Sequence, residues 1–137
     1  MKGTLTDTGP LFASIYERDD RHNQAREGIK RIVLPMHITW PCFAEIMHFL
    51  GKHVGWRGQS KLLESIRLGD VSVLGPNHYP VLEIGELMER YRDAPMGLAD
   101  ASLVLSAESL KSYKVFTFDE HFHAYRTRNR RALEVIP

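Results

Sequence analysis

Four acids stand where a carboxylate can do more than meet solvent. Asp7 closes the strand-like run Leu5-Thr6, and Asp119 closes another, Lys114-Val115-Phe116-Thr117-Phe118. Asp100 falls in the first turn of a segment with Leu98, Ala99, Ala101, Leu103, Val104 and Leu105, apolar on nearly every side and so suited to a buried helix. Glu45 lies on a helix whose Phe43, Ile46, Met47 and Leu50 turn toward a core. Carboxylates that face one another repel unless one is protonated or a cation joins them, so a cluster of these acids implies a hard divalent metal, Mg²⁺ or Mn²⁺. Such a centre polarises a phosphodiester oxygen, lowers the pKa of a bound water and clamps an in-line attack. That is nuclease chemistry, and it needs no side-chain nucleophile. The lone Cys42 sits in an apolar run as a small core residue, and no G-x-S-x-G elbow occurs.

Taken singly, each acid has a plainer explanation. Asp7 suits a cap for the turn at Thr8-Gly9, and Asp119 suits a strand-end turn. Glu45 shares a helix face with His48, as surface glutamates often do, and Asp100 is a charge that a helix N-terminus favours. The joint placement is what points to a site.

The elements that must position these acids follow in a regular order. A strand at Leu5-Thr6 leads through Gly9-Pro10 into a helix carrying Leu11, Phe12, Ile15 and Tyr16, and Asp19-Asp20 cap a second helix through Ala25 and Ile29. Residues 32–39 hold a second strand, and Trp40-Pro41 opens a third helix, that of Glu45. A helix over Leu62, Leu63, Ile66 and Leu68 ends at Gly69 before the strand Val71-Ser72-Val73-Leu74. Val81 to Tyr91 form another helix, Asp93-Ala94-Pro95 breaks it, and the apolar helix follows. A strand to Asp119, an amphipathic turn through Phe122 and Tyr125, and a last strand Leu133–Ile136 complete the chain. Alternating short strands and helices predict an α/β fold, a three-layer α/β/α sandwich with a mostly parallel central sheet. In open sheets of that kind ligands gather beyond the carboxyl ends of the strands, which is where Asp7 and Asp119 would lie.

The bulk numbers allow one domain over 1–137. A formal charge of +1 does not advertise a nucleic-acid binder, but Arg126, Arg128, Arg130 and Arg131 form a local basic cluster suited to phosphate contact. No leader-like h-region or membrane span is visible, so a cytoplasmic location is expected, with no membrane partner. Trp40, Trp56 and the phenylalanines read as core rather than as base-stacking platforms. Asp119 and His123, four apart with His121 close by, suggest zinc only weakly, since no H-E-x-x-H or cysteine pair accompanies them.

The runs Leu5-Thr6-Asp7-Thr8-Gly9-Pro10-Leu11, Phe43-Ala44-Glu45-Ile46, Leu98-Ala99-Asp100-Ala101-Ser102-Leu103 and Thr117-Phe118-Asp119-Glu120-His121-Phe122, in this order, resemble the PIN domain. The nearest resemblance is to the small VapC-type toxins of toxin–antitoxin pairs, and it covers essentially the whole chain. It implies a Mg²⁺- or Mn²⁺-dependent ribonuclease, often a homodimer, acting on RNA and inhibited by a small antitoxin protein. By resemblance Asp7, Glu45, Asp100 and Asp119 are the metal-facing acids, and Thr6, Thr8, Ser102 and Thr117 give hydrogen-bonding support. Relatives sharing the Leu-Ala-Asp-Ala-Ser run often carry an acid where Gly97 stands, which leaves this site one outer carboxylate short. A non-catalytic PIN-fold binding module is the alternative. A phosphoaccepting receiver is disfavoured, because Asp7 lacks a neighbouring acid and no lysine follows the last strand.

Overall fold

The computed structural model describes residues 2–137. Five strands form its sheet: β1 (Thr4–Thr6), β2 (Met36–Thr39), β3 (Val71–Leu74), β4 (Lys114–Phe116) and β5 (Glu134–Ile136). They lie in the order β3-β2-β1-β4-β5, and every pairing is parallel. The six α-helices are α1 (Thr8–Ile15), α2 (His22–Arg31), α3 (Trp40–His53), α4 (Trp56–Leu68), α5 (Val81–Arg90) and α6 (Leu98–Leu110). Parallel strands need crossovers, and helices supply them on both faces. All three residues of β1 are buried, Thr4 and Thr6 as well as Leu5, which is the signature of a central strand covered on each side.

This strand order places a topological switch at the middle of the sheet. From β1 the chain builds outward through β2 to β3, then returns by α5 and α6 to lay β4 on β1's other side. Asp7 follows the last residue of β1, and its backbone N–H donates to Phe116 O at the end of β4, 2.9 Å away. The crevice beyond β1 and β4 is where an open α/β sheet takes its ligand.

Helix α6 is the buried helix that its composition predicts. Eight of its residues are buried, from Ala99 through Ala107, and it packs on β1, β2 and β4 while contacting α3 and α5. On another side, α2 approaches β4 so closely that a Cβ on Gly28 would stand 2.6 Å from the Phe116 ring, so only glycine fits. Leu5, Ile38, Ile46, Leu50, Leu62, Leu103 and Val115 fill the core with 1% exposure or less.

Several expectations change in detail. β2 begins at Met36 rather than at residue 32, and β4 ends at Phe116, so Asp119 caps a short 3-10 turn (Glu120–His123) instead of ending the strand. Asp19 accepts from the Arg21 N–H, which makes Arg21 rather than an aspartate the residue preceding α2's first turn. Trp40 and Trp56 are not core: they are 54% and 66% exposed, because each occupies the opening turn of a helix, where the inward positions fall to later residues such as Cys42 and Leu62. Cys42 is buried and unpaired, and burial pushes its thiol up to about 12. Among the described residues no helix is long and apolar enough to cross a membrane.

Candidate active site

Each acid is delivered to the carboxyl edge by the element that precedes or follows it. Asp7 caps α1, and its Oδ1 accepts from the Thr8 N–H at 2.8 Å. Its Oδ2 accepts from the Thr117 hydroxyl at 2.8 Å. The same Thr117 oxygen accepts from the Asp119 N–H at 2.9 Å, so one hydroxyl ties the end of β1 to the loop after β4. Asp100 is the third residue of α6, and its Oδ2 accepts from the Gly97 N–H at 3.1 Å, half of a capping box. The Tyr125 hydroxyl lies at 3.4 Å from that oxygen. Asp119 Oδ1 accepts from the His121 N–H at 2.9 Å and faces His121 Nδ1 at 2.8 Å.

These constraints bring carboxylate oxygens of Asp7, Asp100 and Asp119 within 4.8 Å of one another. Glu45 stands outside that triad, exposed on α3, and is linked to it through Thr8, whose hydroxyl donates to Glu45 Oε1 at 2.8 Å. Asp7 is only 7% exposed. Burial pushes its carboxyl up to about 6; the Thr117 and Thr8 bonds oppose this, while Asp100 and Asp119 add to it by repulsion. Asp100 is raised as well, by burial first, against the Gly97 N–H, with Asp119 and Glu45 reinforcing the shift. Tyr125 is raised through burial and its acidic neighbours and stays a phenol. A cation placed among these carboxyls would favour their ionised form. The donor set is all oxygen, which suits a hard divalent ion.

The other expected residues divide. Thr8 and Thr117 touch the acids. The Thr6 hydroxyl donates to Thr4 O within its own strand. Ser102 donates to Ala99 O and shares a 2.7 Å hydrogen bond with Thr39, so it joins α6 to β2 rather than reaching a carboxylate. Arg126 donates to the carbonyls of His123 and Tyr125, and Arg128 is spanned by Glu83 and Glu108 at 2.8 and 3.1 Å. Arg130 takes a left-handed turn conformation, with φ 70°. Two residues were not anticipated. Tyr125 reads in the sequence as one apolar position of a turn, although a buried tyrosine hydroxyl requires a partner, and here Asp100 supplies it. Arg21 carries no local signal; its contact with Phe118 spans 97 residues.

The model of the PIN domain matches residues 4–127. The chain belongs to the PIN domain family. Among PIN relatives it is 22% identical over 134 residues to ribonuclease VapC26 of Mycobacterium tuberculosis, an alignment covering 97% of this chain and 99% of that one. Its fold is similar to that of M. tuberculosis VapC20, a Sarcin-Ricin loop cleaving toxin, with TM-score 0.74 and 18% identity over 89% of this chain and 94% of that one. It is also similar to a chain of VapBC2 from Rickettsia felis, solved bound to a promoter DNA fragment, with TM-score 0.63 and 17% identity over 96% of this chain and 97% of that one.

Proposed function

We propose that this PIN domain is a Mg²⁺- or Mn²⁺-dependent endoribonuclease, the toxin of a toxin–antitoxin pair. The observation that carries the proposal is the meeting of Asp7, Asp100 and Asp119 within 4.8 Å at the sheet's switch point. The names of VapC26 and VapC20 support the RNA substrate, and the VapBC2 complex supports a small antitoxin partner. A homodimer acting in the cytoplasm completes the reading.

In this mechanism Asp7, Asp100 and Asp119 would hold the divalent ion, with Glu45 as an outer carboxylate. The ion, when bound, supplies Lewis-acid polarisation of the phosphodiester and activation of the attacking water. Thr117 and Thr8 fix the plane of the Asp7 carboxylate, so its oxygens need not reorganise as charge develops. Burial and its acidic neighbours favour a proton on Asp7, which would pass to solvent as the ion binds. Tyr125 and the Gly97 N–H hold one oxygen of Asp100 and so set the direction of the other.

The test is cleavage of RNA by purified protein with Mg²⁺ or Mn²⁺, abolished by chelator and by Asp7→Asn and Asp100→Asn with the fold retained. Variants that cut as well as the parent would mark the activity as a contaminant and end the assignment. One observation favours a second reading, a binding module with an eroded metal site: the cap of α6 is Gly97, which offers no side chain to the cluster. Calorimetry separates the two. Mn²⁺ binding heat that vanishes in Asp100→Asn supports the enzyme, whereas no Mn²⁺ binding together with tight binding of a small basic protein supports the module.

A further inference from the structure

The basic residues of the C-terminal segment are largely engaged within the protein, and a cation that shares a cleft with Asp119 comes from elsewhere. Arg21, at the entry to α2, lays its guanidinium over the Phe118 ring, 5.0 Å from the centroid, and donates through Nη1 to Phe118 O at 3.3 Å. Its backbone is held as well, by Asp19 Oδ1 at 2.8 Å. An exposed arginine ordinarily samples many rotamers, so two contacts on one planar group define where its charge sits. Among the described residues no carboxylate forms an ion pair with it, in contrast to Arg128 and Arg67. Arg21 lines a cleft of about 130 Å³ together with Gln24, Thr117, Phe118, Asp119, Glu120 and His123. Thr117 and Asp119 belong to the acid cluster, so cleft and cluster share a wall.

We propose that Arg21 is the residue that binds a backbone phosphate of single-stranded RNA beside the acidic cluster. The inference rests on the nuclease reading above and adds to it the substrate contact. Acids repel a polyanion, and a guanidinium fixed against their rim offsets that repulsion where the chain must enter. One N–H is spent on Phe118 O, and the rest of the five-donor fork is left for phosphate oxygens. The Phe118 ring, 5.0 Å from the guanidinium carbon, holds the charge at the cleft that both residues line.

The experiment measures binding of a short fluorescein-labelled single-stranded RNA by anisotropy, in EDTA so that nothing is cut, over a range of salt. Arg31 is the charge-matched control, because it lies at the far end of α2, before the start of β2. Arg21→Ala is expected to weaken binding roughly five-fold at low salt and to reduce the salt slope by about 0.7, one phosphate's worth for a single strand. Arg21→Lys should recover part of the affinity, and Arg31→Ala should match the parent. With Mn²⁺ present, Arg21→Ala should raise KM more than it lowers kcat. Arg21→Ala indistinguishable from Arg31→Ala in affinity and slope overturns the proposal. A lowered Tm with an unchanged salt slope also overturns it, making Arg21 a staple between α2 and the loop after β4. A parent that binds RNA through Arg21 yet cuts nothing with Mn²⁺ refutes the nuclease reading and leaves the phosphate contact standing; a parent that cuts while Arg21→Ala binds normally does the reverse.

Discussion

The Thr117 hydroxyl donates to Asp7 Oδ2 across 110 residues of sequence, and the two stay 2.8 Å apart in a buried setting. This bond joins the carboxyl ends of β1 and β4, and through the Asp119 N–H it also orders the third acid. Thr117→Val keeps the shape and removes the hydroxyl. It should cost about 1–3 kcal/mol of stability, since it leaves both the Asp7 carboxylate and the Asp119 N–H short of a partner. It should also raise the Asp7 carboxyl further. Urea unfolding with and without Mn²⁺ checks the first, and the pH midpoint of Mn²⁺ binding checks the second.

Asp7 predicts a pH dependence with a definite sign. Its carboxyl is near 6 in the folded protein against an ordinary 3.8, so between those values the native state holds a proton that the unfolded state has lost. Stability in chelator should therefore be highest below pH 4 as far as this group is concerned. It should fall as pH rises toward 6, by about 3 kcal/mol at most. Asp7→Asn should remove that fall and unfold at higher urea than the parent at pH 7, while losing cleavage. A parent whose chelator-treated stability is flat from pH 4 to 6.5 contradicts this. Mn²⁺ binding should weaken below about pH 6, with protons released on binding.

Gly97 offers a gain-of-function test. Its backbone is ordinary extended, φ −83° and ψ 170°, and a Cβ built on it would meet Asp100 Oδ2 only at 3.8 Å, ordinary contact. Gly97→Asp should therefore fold, since aspartate is a good helix cap. The added carboxylate should raise Mn²⁺ affinity roughly three- to ten-fold by calorimetry. Unchanged affinity in a folded variant would show that this cap position does not face the metal.

Ser102 and Thr39 supply a structural control. Their shared hydrogen bond links α6 to β2 without touching an acid. Ser102→Ala should lower stability by about 1–2 kcal/mol and leave the Mn²⁺ affinity of the folded protein within two-fold.

The order of elements was legible because strand-like runs ending in aspartate alternate with helices whose apolar residues repeat at helical spacing. α6 was legible from composition alone, since a helix with no polar stripe has only one place to go. The meeting of Asp7, Asp100 and Asp119 could be expected from fold class, but the separate position of Glu45 could not. Whether its carboxylate reaches the cluster directly or through Thr8 depends on how α3 leaves β2. The internal contacts of the C-terminal arginines were also beyond local reading. Charge counting marks them as a basic patch, yet Arg128 is drawn to Glu83 and Glu108 on α5 and α6, while Arg21 reaches Phe118 by a contact that no local pattern encodes.

β1 lies at the centre of the sheet although it is the first strand made, and its second neighbour, β4, is contributed near the other end of the chain. Asp7 finds one partner locally, the Thr8 N–H, but Thr117 and Asp119 lie more than a hundred residues further along the chain. Residues up to the start of β4 hold at most two of the three acids, Asp7 and, past the first turn of α6, Asp100, and lack the Thr117 hydroxyl that ties Asp7 to the third. The acidic cluster is therefore a long-range product of the fold: its three carboxylates come together only when the strand after α6 has docked beside β1.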